Sequence, residues 1–133
     1  MNILFAGTPK PSAKILKALC DDPSINVVGV LTKPDKAQKR GQKLVQSPVG
    51  IEAQERNLTM FKPDDLNDLK LKQSIKALSV DFVVVAAYGK ILPKWLLDFP
   101  KIMPINIHYS LLPKYRGASP IQSSLLNGDC ISG

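Results

Sequence analysis

Histidine and cysteine are almost missing from this chain. His108 is the only histidine, and the two cysteines, Cys20 and Cys130, stand far apart without the spacing of a metal site. One imidazole without clustered thiols or paired carboxylates makes no ligand set, and the cysteines form no disulfide framework. We therefore expect no metal, and reduced thiols as in a cytoplasmic protein. Long hydrophobic runs are absent too. Stretches such as residues 82–87 are far short of the roughly 20 residues that cross a bilayer. No apolar signal segment opens the chain, so the expectation is a soluble protein with no membrane partner. Gly7 stands alone after the first apolar run, with no G-x-G-x-x-G, which leaves a dinucleotide site poorly supported. Neither Ser110 nor either cysteine sits in a nucleophile motif. Acidic residues are the scarcer sign, 11 against 18 basic for a net charge of +7, which favours an anionic partner without naming one.

What is present suits one globular domain: 133 residues, 44% apolar and 22% charged, enough for a single core. Residues 2–6 form an apolar run stopped by Gly7-Thr8-Pro9, a strand and a tight turn. Thr8 is placed to cap a helix opening at Pro9, with Ile15, Leu16 and Leu19 as its apolar stripe. The β-branched run at 27–31 lacks alternation, the pattern of a strand covered on both faces. Ser47-Pro48 caps and opens a helix through Arg56, and 57–61 reads as a short strand. Asp64, Asp65 and Asp68 precede a helix spaced by Leu71, Ile75 and Leu78. Residues 82–86 are again uniformly apolar, Pro93 opens a short helix holding Trp95, Leu96 and Leu97, 104–108 is the next strand, and 120–126 a last helix. Strands alternate with helices, so the expected fold is α/β with a doubly wound, mainly parallel sheet. The chain stops soon after its last helix and reads as a fragment.

Two stretches resist that regular reading. Lys33, Lys36, Lys39, Arg40 and Lys43 face only Asp35 in their window, a net +4, while the rest of the chain carries +3. Residues 32–47 have no apolar periodicity and read as a basic loop at a strand's carboxyl end, where such sheets place their ligands. A solvated excursion is the bland reading of a charge run. This position favours a nucleic-acid or phosphate contact. The other stretch is 104–117. Strand side chains alternate, so Asn106 and His108 share one face and Ile105 and Ile107 the other. An amide N–H can hold an oxyanion and an imidazole can move a proton, a pair suited to attack on a carbonyl carbon; a hydrogen-bonded structural pair is the alternative. With no nucleophile motif and no metal set, direct transfer between two bound substrates is the chemistry that remains. In the loop after 82–86, Gly89 lets backbone approach a ligand. Ile91 and Leu92 are as readily pocket wall as core, core packing is the bland reading of Tyr88, and Trp95 and Leu96 read as core.

Asn106-x-His108-x-Ser110-Leu111-Leu112-Pro113, followed by Tyr115-Arg116-Gly117 and Pro120-Ile121-Gln122, resembles the signature of the formyltetrahydrofolate-dependent formyltransferases. Within that superfamily, the blocks Phe5-Ala6-Gly7-Thr8-Pro9, Lys33-Pro34-Asp35 with Arg40-Gly41 and Leu44, Ser47-Pro48-Val49, and Ala87-Tyr88-Gly89 with Ile91-Leu92-Pro93 resemble the methionyl-tRNA formyltransferase family. The resemblance runs from residue 1 to residue 133 and implies the N-terminal part of a Rossmann-like catalytic domain. It further implies transfer of a formyl group from 10-formyltetrahydrofolate to the amine of methionine on initiator tRNA. Asn106 and His108 would be catalytic, Asn106 holding the oxyanion and His108 moving the proton. Ser110, Leu111, Leu112 and Pro113, with the backbone at Ile91 and Leu92, would line the folate site, and Lys39, Arg40 and Lys43 would contact the tRNA. A monomer is expected.

The pattern also departs from the family's. Tyr109 and Lys39 stand where glycine is expected, and Lys10-Pro11-Ser12 replaces an acidic-aromatic-alanine turn. The family's catalytic aspartate and its C-terminal tRNA-binding barrel belong beyond residue 133, so the chain alone is expected to be impaired. The alternatives are a formyltransferase acting on a sugar or purine-pathway amine, and a non-catalytic folate- or RNA-binding fragment.

Overall fold

The computed structural model describes residues 1–37, 41 and 43–108. Five strands form one parallel sheet: β1 (Asn2–Gly7), β2 (Asn26–Leu31), β5 (Met60–Phe61), β6 (Phe82–Ala86) and β7 (Met103–Ile107), in the order β5-β2-β1-β6-β7. The chain winds outward from β1 through β2 to β5, then returns to the other side of β1 for β6 and β7. This is the doubly wound, Rossmann-like arrangement, with its reversal of direction between β1 and β6.

Helices cover both faces, which is why the central strands are apolar without alternation. On one face α1 (Lys10–Asp21) and α2 (Pro48–Glu55) bring Leu16, Val49 and Ala53 against Ile3, Phe5, Val30 and Val84. On the other, α3 (Leu69–Lys76) and α4 (Lys94–Asp98) bring Leu71, Ile75 and Leu96 against Leu4, Ala6, Leu31 and Val83. Local signals set the helix starts. Ser47 Oγ accepts from the Gly50 amide at 2.9 Å, with Pro48 at the first helical position. Asp68 Oδ2 accepts from the Leu71 amide at 3.0 Å.

Three local expectations need correction. Thr8 does not cap α1: Pro9 is the N-cap, with no side-chain cap bond, and the Thr8 hydroxyl donates instead to the Tyr88 carbonyl at 2.7 Å. The supposed third strand is shorter than 57–61, because Asn57 turns through φ 55° and only Met60 and Phe61 pair with β2. The basic stretch is not structureless. β3 (Lys36–Ala37) and β4 (Leu44–Val45) pair antiparallel, and Lys62 Nζ holds their base by donating to Asp35 Oδ1 at 2.7 Å and Gln46 Oε1 at 2.9 Å. The helix expected at 120–126 lies outside the described residues.

Candidate active-site crevice

Where the winding reverses, the loops leaving β1 and β6 are fastened to one another. Besides the bond from Thr8 to Tyr88, the buried Ser12 hydroxyl donates to the Ala86 carbonyl. A Cβ placed on Gly7 would lie 2.8 Å from the Ala86 carbonyl oxygen and 2.9 Å from both Phe5 Cε1 and Ser12 Cβ. The glycine is there because β6 passes too close for any side chain. The β6 loop itself is bent sharply, Ala87 at φ 51° and Gly89 at φ 89°, and a non-glycine residue holds a left-handed conformation only when its surroundings impose it. Between them, Tyr88 turns its ring into the core beside Leu92 and Leu96. Its hydroxyl is buried and has no hydrogen-bond partner among the described residues, and burial pushes the phenol up to about 12.

β7 lies next to β6 at the edge of the described sheet. Val84 pairs with Ile105, Val85 with Asn106 and Ala86 with Ile107. Ile107 packs with the α1 and α2 layer, so the alternation of a strand puts Asn106 on the opposite face, that of α3 and α4. Asn106 is exposed, and His108, the first residue past the strand, is half-buried. Both stand at the carboxyl end of the sheet, one strand out from the reversal, where open α/β sheets hold their ligands. Ile91 is 95% exposed, whereas Leu92 is 8% exposed and belongs to the core. Lys43 is exposed beside β4. Ser110, Leu111, Leu112 and Pro113 lie outside the described residues, as do Lys39 and Arg40.

The comparison with known families is decided by coverage: the sequence profile described as formyl transferase matches residues 1–133. The chain belongs to the formyl transferase family. Among this family's curated members, a methionyl-tRNA formyltransferase of Sulfurihydrogenibium sp. (strain YO3AOP1) is 47% identical over 129 residues, spanning 96% of this chain and 41% of that protein. The chain thus matches well under half the length of that relative. Solved structures agree in fold. A phosphoribosylglycinamide formyltransferase from Bacillus halodurans superposes with a TM-score of 0.69 at 20% identity, over 96% of this chain and 66% of the other. A formyltetrahydrofolate deformylase from Pseudomonas syringae pv. tomato str. DC3000 gives 0.65 at 21% identity, over 96% and 41%.

The sequence put Lys33 in the basic stretch on the crevice side but did not show what it meets there. The stem and ammonium of Lys33, from the end of β2, lie against Gly89 from the end of β6: a Cβ on Gly89 would sit 2.5 Å from Lys33 Cε and 2.6 Å from Nζ. The glycine was legible as a place of close approach. That a lysine from two strands away makes the approach depends on the strand order, which no local pattern encodes.

Proposed function

We propose that the chain forms the catalytic half-site of a methionyl-tRNA formyltransferase, moving a formyl group from 10-formyltetrahydrofolate to the amine of methionine on initiator tRNA. The observation that carries the reading is the placement of Asn106, exposed on β7 in register with Val85 and two residues before His108 at the sheet's carboxyl end. The donor supplies an activated formyl carbon. As the amine nitrogen bonds to that carbon, its oxygen takes up negative charge, and the Asn106 amide N–H donates to it. His108 takes the proton from the attacking amine and returns one to the folate nitrogen as the old carbon–nitrogen bond breaks. The exposed Ile91 beside the bent Gly89 offers an apolar surface to a flat ring. Ser110, Leu111, Leu112 and Pro113 would complete that wall, Lys39, Arg40 and Lys43 would meet the acceptor end of the tRNA, and the setting would be the cytoplasm.

The reading is supported over a small-amine formyltransferase by the 47% identity to a methionyl-tRNA enzyme and by the net +4 of residues 33–43. It is tested by offering the chain labelled formyl donor with charged initiator tRNA, phosphoribosylglycinamide or an amino sugar, enzyme in excess. The expected result is label on the methionyl amine, falling steeply as salt rises. Preferential, salt-insensitive labelling of either small amine would overturn it.

A further inference from the structure

The loop that leaves β6 is fastened at every second residue. Ser12 donates to the Ala86 carbonyl, Thr8 donates to the Tyr88 carbonyl, the Tyr88 ring is buried, and Leu92 belongs to the core. Lys90 supplies the remaining fixed point. Its ammonium donates to two consecutive carbonyls of the connection between β5 and α3, Pro63 at 2.8 Å and Asp64 at 3.0 Å. Between the anchors the chain turns outward, with Gly89 exposed and Ile91 95% exposed. Ala86 pairs with Ile107, so the loop starts next to the residue that precedes His108.

This in-and-out pattern is not held by local preference. Ala87 at φ 51° and Gly89 at φ 89° both leave the extended region, and such a shape persists only when the surroundings impose it. Of the anchors, Lys90 alone stands between Gly89 and Ile91. The segment it grips is itself fixed: Leu66 is 7% exposed and its carbonyl accepts from Trp95 Nε1 at 3.2 Å, while Asp68 caps α3. Among the described residues Lys90 joins no ion pair. Its charge acts on carbonyl dipoles, and charge-assisted hydrogen bonds are the stronger kind.

We propose that Lys90 is a positioning residue for the formyl donor: by gripping Pro63 and Asp64 it fixes the loop in the shape that turns Ile91 out towards the folate ring. The proposal rests on the transfer reading and uses neither Asn106 nor His108. Methionine at this position keeps the aliphatic stem and removes every donor. The anchors at Ala86, Tyr88 and Leu92 stay in place.

The probe is 5-formyltetrahydrofolate, titrated into the chain by calorimetry. Lys90→Met should weaken binding about tenfold, and Lys90→Arg, which restores donors, should stay within about threefold of the parent. Lys94→Met, which removes an exposed ion pair with Asp98, should leave affinity unchanged. Because Lys90 acts through Ile91, the decisive readout is their coupling. Ile91→Ala should weaken binding about fivefold in the parent but less than about twofold in Lys90→Met, where the released loop no longer presents that side chain. A lysine that only stabilises the fold would leave the two effects additive.

Additive effects, or equal affinity in Lys90→Met, overturn the proposal and leave the transfer reading standing. A parent chain that does not bind the probe overturns both. Coupled binding in a chain that formylates only a small amine removes the tRNA acceptor and keeps Lys90 in its role. If Lys90→Met fails to fold, Lys90→Gln takes its place with the same readouts.

Discussion

The two sides of the crevice are built by opposite rules. At the junction of β1 and β6 every strand residue from Ile3 to Gly7 is buried, Gly7 is closed in on three sides, and hydroxyls from Thr8 and from Ser12 in α1 tie this end to Tyr88 and to the last residue of β6. One strand away, β7 is exposed from Met103 to Asn106, and within the described residues it is held in the sheet by pairing with β6 alone. Position is thus created at the junction and displayed on β7. On the proposed reading Asn106 has to remain accessible to two substrates, so its placement comes from a neighbour's rigidity through backbone register.

That contrast can be broken hardest at Gly7. Gly7→Ala would force its Cβ against the Ala86 carbonyl, and backbone cannot yield as a flexible side chain does, so a loss of about 3 kcal/mol in urea unfolding is expected. Gly89→Ala should cost about 1–2 kcal/mol, because its φ of 89° strains any L-residue. The Lys33 tip that it meets is flexible and can shift, so the backbone conformation rather than the contact sets the cost.

Tyr88 sharpens the comparison in the other direction. Its hydroxyl has no partner among the described residues, so Tyr88→Phe should stabilise the protein by about 1 kcal/mol at neutral pH. The phenol is raised from 10.0 to about 12 by burial. Below pH 10 its contribution to stability is fully present. As pH rises from 10 towards 12 the unfolded chain ionises while the folded one resists, and stability is lost. Urea midpoints at pH 8, 10 and 11 should therefore fall less in Tyr88→Phe than in the parent. The smallest effect belongs to β7, where Ile105 is 39% exposed and Ile105→Thr should stay within about 0.5 kcal/mol of the parent.

The same division explains what could be read from the amino acids alone. The strand at Phe82–Ala86, the cap at Ser47 and the acid at the start of α3 were legible because each depends on its own few residues. Thr8 was misread for the opposite reason. Its local rule favours a helix cap, but the Tyr88 carbonyl, 80 residues later, takes the hydroxyl. The hairpin of β3 and β4 was missed because its pairs, Lys36 with Val45 and Ala37 with Leu44, carry no alternating apolar pattern, and its base is fastened by Lys62 from beyond α2. At the candidate site, residue types and their shared strand were visible in the sequence. The neighbours that give them a position, Val85 beside Asn106 and Lys33 beside Gly89, follow from strand order alone.

The central claim is most directly tested by the single-turnover rate of formyl transfer to methionyl initiator tRNA in Asn106→Ala, measured beside its urea midpoint. Loss of an oxyanion donor should slow transfer by about 100-fold or more, with the midpoint unmoved because the side chain is exposed. A rate equal to that of the parent would contradict the account.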